Sequence, residues 1–402
     1  MHSTPLRGTR VLVSGAGVAG PAVASWLSRY GADTTVIEIA PALRSSGFAV
    51  DFRGPTHLGV LERMGILDEL RGIQTHGGAM CRVDENGREI FRLPEEFAGG
   101  EVEVHRRDLS RVLCERCAER VEFLFGDTVT SLTERADGVH VEFATAAPRT
   151  FDLVVGADGL HSTVRRLAFG EESRYVRHLG HYLAGWDLPN DLGVDTVAQQ
   201  YNEPGRMASV AADSRDPSSA GALVVFASPR LDVGWRDVER QKQVVTEAFA
   251  GMPWHVPHLL ESLTRAEDLY FDSISHVSVP HWSTGRIVLL GDAGWGVTLG
   301  GMGVGTGVVG AYVLAGELAA AGGDHRTAYA AYERRMRGYS GRWQKRANPG
   351  AFLAPRTRGG LWLRDSVFRT RLGRRLLVSS SDSLATDVEL PDYAGADTIA
   401  DR

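Results

Sequence analysis

The feature that most constrains the fold is a glycine-rich turn between a short apolar strand and a helix of small residues near the start of the chain. Residues Arg10–Ser14 predict the strand, Gly15, Gly17 and Gly20 form the pattern G-x-G-x-x-G, and Glu38 closes the next predicted strand. The first glycine permits a tight turn, the second admits a pyrophosphate to backbone N–H groups, and the third lets the helix pack on the sheet. The segment therefore predicts a dinucleotide-binding βαβ unit in which Glu38 accepts ribose hydroxyls.

Chain length and net charge indicate the domain organisation and the classes of binding partner to expect. The chain has 402 residues, 43% hydrophobic and 23% charged, with a formal net charge of -6. This length favours two packed lobes, and the negative balance gives no general attraction to nucleic acid or anionic lipid. The polar first ten residues and the absence of a long uncharged apolar run predict a soluble, cytoplasmic protein with no membrane partner. The arginine-rich region 334–375 suits an exposed helix better than a nucleic-acid surface.

The cysteines do not predict a disulfide framework or a metal centre. The sequence contains Cys81, Cys114 and Cys117, an odd and sparse set. Cys114 and Cys117 form C-x-x-C inside a segment with helical periodicity, and no second pair is placed to complete a zinc site. Two cysteines on one helix face is the better interpretation.

The middle of the chain predicts strands and helices around an active site. Residues 44–55 predict a glycine-bearing strand and loop that crosses the site, and an amphipathic helix follows over 56–64. A second helix is predicted from Arg106. Further strands are predicted over 121–125, over 139–143 after a hairpin at Asp137-Gly138, and as one strand over 151–155.

Two more turns combine a strand end, glycine and an acid. Asp158 and Gly159 follow one predicted strand, with Arg165 seven residues after the aspartate. Gly291 and Asp292 follow a later one, and a glycine-rich stretch through Gly301 and Gly303 then opens a helix.

In the order of these three motifs, the chain resembles the class A flavoprotein monooxygenases, the para-hydroxybenzoate hydroxylase-like group, and most of all the aromatic and polyketide hydroxylases that include tetracycline-modifying enzymes. The resemblance spans roughly residues 9 to 393. It implies an α/β fold with a Rossmann-like, glutathione-reductase-type FAD-binding domain over 1–75, 100–170 and 270–330. An interleaved β-sheet substrate domain would cover 76–99 and 171–269, with C-terminal helices and a tail over 331–402.

The resemblance also implies which residues hold FAD. Arg106 matches the family's R-x-x-L arginine, with Arg107 as the adjacent alternative, and an exposed helix arginine is the other interpretation of both Arg106 and Arg165. The expected cofactor-binding residues are Gly15, Gly17, Val18, Ala19, Gly20, Glu38, Arg44, Arg106, Asp158, Gly159, Arg165, Gly291, Asp292, Gly301 and Gly303.

Strands predicted between the second and third motifs would form the floor of a substrate pocket. Their aromatic content suits a flat, largely apolar substrate, although an ordinary sheet-core role stays open for each strand residue. His161 and His181 are possible polar contacts. The expected pocket residues are Arg53, Trp186, Tyr201, Met207, Phe226, Trp295 and Thr298.

Two residues depart from the family pattern after the third motif. Trp295 stands where the family has His or Tyr, Thr298 stands where it has proline, and the loop is one residue shorter. Threonine restores a backbone N–H and adds a hydroxyl. The resemblance implies that this loop faces the flavin, so the departure bears on oxygen transfer more than on FAD binding.

The activity implied by the resemblance is hydroxylation of an aromatic or polyketide-like molecule by a monomer or homodimer. NADPH or NADH would act as a transient reductant, and dioxygen would react through a flavin C4a-hydroperoxide. The alternative is a non-redox cyclase, such as a [4+2] cyclase of secondary metabolism, that keeps FAD as a structural element. The altered loop is the feature that favours the alternative.

Overall fold

A computed structural model describes residues 4–43, 49–77, 79–93, 100–234, 236–299, 303–344, 348–370, 373 and 390–393. The first sheet has six strands, and its five main strands are parallel, as the βαβ pattern predicts. Pairing of Ser14 with both Ile37 and Gly156 aligns the carboxyl ends of neighbouring strands. In spatial order the strands are Ser283–Thr284, Ile287–Leu289, Leu153–Gly156, Arg10–Ser14, Asp33–Glu38 and Val121–Phe125.

The second sheet has seven strands and is separate from the six-stranded sheet. In spatial order its strands are Tyr270–Val277, Val176–Pro189, Ser219–Ala227, Arg206–Ala212, Ala198–Glu203, Met80–Val83 and Glu89–Leu93. Tyr270–Val277 pairs with Val176–Pro189, so this sheet includes an eight-residue strand from the segment 270–330 that the prediction gives to the FAD-binding domain. The division into two domains stays a prediction.

The single strand predicted over 151–155 is wrong. Arg149–Phe151 pairs with Gly138–Phe143 in a small sheet that also holds Val129–Arg135, whereas Leu153–Gly156 belongs to the six-stranded sheet. The chain changes sheets at Asp152, whose carboxylate accepts from the Arg10 backbone N–H at 2.8 Å and from its guanidinium at 3.0 Å. A fourth sheet consists of Ala49–Phe52 and Val102–His105.

Helices flank these sheets. The helix predicted over 56–64 is found at Gly54–Met64, and the one predicted from Arg106 is found at Arg106–Cys117. Val238–Phe249 and Val256–Arg265 pack on one face of the seven-stranded sheet. The remaining helices in the described part of the chain are Ala19–Arg29, Leu67–Gly72, Thr163–Ala168, Asp292–Trp295, Gly303–Ala320, His325–Gln344, Pro349–Leu353 and Arg358–Arg369, with a short 3-10 helix at Glu172–Arg174.

Gly303–Ala320 is long and apolar enough to cross a membrane, but 78% of it is buried within the fold. It packs between Ala19–Arg29 and His325–Gln344. Its apolar character is therefore that of a central core helix.

Candidate active site

The three glycine-bearing turns meet at the carboxyl edge of the six-stranded sheet. Gly15 has φ +105°, and a Cβ added to it would lie 2.6 Å from the carbonyl oxygen of Ala157, at the second turn. A Cβ on Gly20 would lie 1.8 Å from the carbonyl oxygen of Gly15. Both positions exclude a side chain, so the predicted roles of Gly15 in the turn and Gly20 in close packing have a steric basis here.

The helix Ala19–Arg29 begins at this edge, and no side chain caps its first backbone N–H groups. Val18 occupies the N-cap position and supplies no side-chain cap, and the first turn carries no acidic residue. Gly17 and Ala19 remain partly exposed. Free N–H groups at a helix N-terminus attract anions, so this end is suited to a phosphate group.

Glu38 is held in a fixed position at the end of its strand. One carboxylate oxygen accepts the Ala16 N–H at 2.8 Å, and the other accepts the Ala40 N–H at 2.9 Å. The side chain remains half-buried, which leaves lone pairs of both oxygens available to hydroxyl donors. The two backbone bonds orient the carboxylate before any ligand arrives.

Arg106 and Asp292 bring opposite charges to the same place. The Arg106 guanidinium lies 3.7 Å from the point that a Cβ of Gly17 would occupy, and a Cβ on Gly303 would lie 3.3 Å from Asp292 Oδ1. Burial raises the pKa of Asp292, and the charge of Arg106 opposes that rise. Within the described residues, neither side chain makes a hydrogen bond.

These observations fit a dinucleotide such as FAD. The structure supplies free N–H donors for a pyrophosphate, an oriented carboxylate for a ribose, and an arginine and an aspartate with unused hydrogen-bonding capacity. Gly291 approaches Ala19 and Gly307, so the third turn, the first helix and the core helix touch. Arg44 and Gly301, also predicted here, lie outside the described residues.

The predicted role of Arg165 as a direct cofactor ligand is not what the structure indicates. Its side chain is fully buried and donates to the carbonyl oxygens of Ala293 at 3.0 Å and Leu160 at 2.6 Å. A side chain that touches a ligand would be solvent-accessible when the ligand is absent, so Arg165 acts behind the site. It ties the second turn to the third.

Asp158 also has most of its hydrogen-bonding capacity in use. Its carboxylate accepts from the Val164 N–H at 3.0 Å, from the Ser14 hydroxyl at 3.3 Å and from the Ser162 hydroxyl. Burial raises its pKa. The adjoining Gly159 has φ +77° and open space around its Cα, so this turn still presents backbone to the site.

Three of the predicted pocket residues take the alternative, sheet-core role on one face of the seven-stranded sheet. Trp186, Tyr201 and Phe226 pack in the cluster covered by the helices Val238–Phe249 and Val256–Arg265. The Trp186 indole donates to the Ser262 hydroxyl at 2.9 Å inside that layer. Alternate strand residues point to opposite faces, and the sequence did not reveal which face the helices cover.

Met207 and Trp295 are also excluded from an open pocket. Met207 is fully buried on the other face of the sheet, against Leu183 and Val225. Trp295 is 1% exposed and packs on Trp282 with ring centroids 4.3 Å apart. Both are core residues.

The predicted polar contacts have partners within the protein. Arg53 is largely buried and forms an ion pair with Asp51. His181 is buried, with Nε2 3.2 Å from the Ala354 carbonyl oxygen. His161 is 54% exposed and lies between Asp272 and Glu172, whose hydrogen bonds raise its pKa to about 10. His161 is therefore protonated at neutral pH.

The sheet face opposite the two covering helices carries residues that the sequence analysis missed. Leu223 and Tyr270 are only partly buried there, and Leu299 from the loop after the third turn packs in the same cluster. Leu223 precedes Val224, which points to the helix-covered face, so the alternation of the strand places Leu223 on the opposite face. The signal that could identify Leu223 from the sequence is this alternation. This apolar surface lies beside the loop that joins Asp292 to Gly303.

Comparison with known proteins identifies the family. Residues 8–338 match the FAD binding domain family. A flavin-dependent monooxygenase from Legionella longbeachae is 32% identical over 398 residues, which cover 96% of this chain and 98% of the relative. The chain belongs to the FAD-dependent monooxygenases. The predicted family, its α/β fold, the FAD cofactor and the enzyme class are thereby confirmed, and a small-molecule substrate and dioxygen follow from the class.

Two solved structures bear on the chemistry. The tetracycline destructase Tet(51) is 30% identical with a TM-score of 0.81, and the match covers 96% of this chain and 99% of that one. The Diels-Alderase PyrE3 is 21% identical with a TM-score of 0.69, covering 94% and 81%, and at that identity it shows the shared fold alone. The cyclase alternative gains no support over the monooxygenase.

Proposed function

We propose that this enzyme hydroxylates a flat, aromatic or polyketide-like small molecule, with NADPH or NADH as reductant. The observation that carries the proposal is the apolar sheet face at Leu223, Tyr270 and Leu299 beside the FAD site. Similarity to a tetracycline destructase supports a substrate of this shape. A cytoplasmic location and a monomeric or homodimeric state belong to the same proposal.

The geometry of the sheet edge supports the following assignment of the residues that would hold FAD. The N–H groups at Gly17 and Ala19 would bind the pyrophosphate, and Glu38 would bind the adenosine ribose. Arg106 would contact the cofactor from the neighbouring helix, and Asp292 would accept a hydroxyl hydrogen bond. The start of Gly303–Ala320 would turn its N–H groups and positive dipole end towards the flavin.

The protein's own contribution is position and exclusion of water. Bound FAD supplies electron transfer from the reductant and transfer of one oxygen atom from dioxygen. Leu223, Tyr270 and Leu299 would hold the substrate ring system in van der Waals contact and keep water from the reacting carbon.

The test uses the FAD-loaded enzyme with tetracycline and a panel of polycyclic phenols as probes. We expect at least one probe to accelerate NAD(P)H oxidation and to yield a product one oxygen atom heavier. Absence of both effects across the panel contradicts the proposed substrate class. An isomeric product formed without reductant would instead indicate the cyclase.

A pair of neighbouring residues provides a matched control for the location of the pocket. Leu223 is partly buried on the proposed substrate face, whereas Val224 is 2% exposed on the helix-covered face. Leu223→Ala should raise KM for the substrate with FAD affinity unchanged, and Val224→Ala should lower stability with KM unchanged. The reverse pattern would place the substrate on the other face.

A further inference from the structure

The loop after the third turn is paired with the second sheet as an additional short strand. The Thr298 N–H donates to the Ser275 carbonyl oxygen at 3.1 Å, and the Val277 N–H donates to the Gly296 carbonyl oxygen at 2.8 Å. A bridge between the intervening residues completes the antiparallel pairing. The loop is therefore bonded to Tyr270–Val277, an edge strand of the sheet that presents the proposed substrate face.

The Thr298 side chain adds a bond that few residue types can provide. Its Oγ1 accepts the Ser275 N–H at 3.3 Å. Ser275 is 1% exposed, so this N–H has no water to replace the threonine hydroxyl. A proline at this position would lack both the backbone N–H and the hydroxyl.

Gln344 closes the same pairing from the C-terminal end of the helix His325–Gln344. Its Nε2 donates to the Trp295 carbonyl oxygen at 2.7 Å and to the Val277 carbonyl oxygen at 2.9 Å. One carbonyl belongs to the last residue of the helix Asp292–Trp295, directly before the loop, and the other belongs to the sheet strand. Both hydrogens of a single amide nitrogen are thus used to hold the two segments together.

This paired segment leads directly to the part of the chain beside the cofactor site. Leu299 follows Thr298 with φ +57°, a left-handed conformation that is unfavourable for a leucine. Surrounding contacts must maintain it, and its side chain packs against the same buried cluster as Leu223 and Tyr270. The helix that begins at Gly303, near Asp292, follows within a few residues.

We propose that Thr298, Ser275 and Gln344 are positioning residues that fix the loop after the third turn to the seven-stranded sheet. The loop would lie beside the flavin, and the sheet carries the proposed substrate face. The cofactor edge and the substrate surface then keep one relative position, which oxygen transfer between two bound molecules requires. The proposal rests on the function proposed above, and it assigns to Thr298 a role different from the predicted pocket lining.

The experiment compares holoenzyme variants by FAD affinity, by the visible absorption spectrum of bound FAD, and by hydrogen peroxide released per NAD(P)H oxidised. Thr298→Val keeps the shape and the backbone N–H but leaves the Ser275 N–H unsatisfied, and Thr298→Pro also removes the N–H bond. We expect FAD affinity to fall about ten-fold in Thr298→Val and further in Thr298→Pro, with a shifted flavin spectrum and more peroxide.

Three further variants separate positioning from folding. Thr298→Ser keeps both bonds and should behave as wild type. Gln344→Leu should reproduce the spectral shift and the peroxide release through a different residue, while Gln243→Leu, on an outer helix, should not.

The proposal is overturned if Thr298→Val and Gln344→Leu retain the wild-type spectrum and peroxide ratio, whether or not their melting temperatures fall. A wild-type enzyme that oxidises none of the probe substrates would instead contradict the proposed function. In that case FAD affinity and the flavin spectrum still decide whether these residues position the loop.

Discussion

Replacing Glu38 by glutamine isolates the charge of the ribose-binding carboxylate with little change in shape. In the structure both carboxylate oxygens accept backbone N–H groups, from Ala16 at 2.8 Å and from Ala40 at 2.9 Å. A glutamine amide has a single accepting oxygen, so one of the two N–H groups would face an NH₂ donor and lose its bond.

The expected losses in stability and in FAD affinity for Glu38→Gln follow from the hydrogen bonds that the carboxylate makes. Loss of one charge-assisted bond should lower the free energy of unfolding of the apoprotein by about 1.5–3 kcal/mol. Loss of the charge towards the ribose should weaken FAD binding by a similar amount, roughly 10- to 150-fold in Kd.

Urea unfolding of the apoprotein and fluorescence titration with FAD measure the two effects separately. Asp33→Asn is the matched control, because it removes the same charge from the exposed start of the same strand. If Glu38→Gln matches that control in both stability and FAD affinity, the reasoning is refuted.

Three other changes test the packing and the electrostatics. Gly20→Ala should prevent folding of the nucleotide-binding unit, because its Cβ would lie 1.8 Å from the Gly15 carbonyl oxygen, and circular dichroism with FAD binding checks this. Trp186→Phe should lower the free energy of unfolding by about 1–2 kcal/mol while kcat/KM stays unchanged, since the indole lies on the helix-covered face. A raised pKa means that the ion pairs of His161 stabilise the fold fully below pH 6.5 and lose that effect as pH rises through about 10. The melting-temperature difference between wild type and His161→Gln should therefore be largest near pH 6.5 and shrink towards pH 10, although exposure keeps it small.

The sequence was sufficient to predict the nucleotide-binding edge because its determinants are local. The strand, the glycines and the acid that define the pattern all lie between Arg10 and Glu38. Gly15, Gly20 and Glu38 lie where the pattern predicts. The position of Arg106 at the first residue of its helix was also predictable from periodicity.

The substrate side depended on contacts between distant segments and could not be predicted in the same way. Period-two alternation divides strand residues into two faces, but the helices that decide which face is buried come later in the chain. The sequence therefore leaves Trp186 open between pocket lining and sheet core, and the structure shows its indole donating to Ser262 in the covered layer. Similarly, the sequence marks Thr298 as a departure from the family, but its partner Ser275 lies 23 residues away. Gln344, which donates to the neighbouring Trp295 and Val277 carbonyl oxygens, lies 46 residues away.

The central claim, that this chain transfers an oxygen atom to its substrate with FAD, is tested most directly by turnover under ¹⁸O-labelled dioxygen. Mass spectrometry of the product should show one labelled atom, formed only when NAD(P)H is present. A product isomeric with its substrate, formed under strict anaerobiosis and without nicotinamide, would contradict the claim and make FAD a structural element of a cyclase.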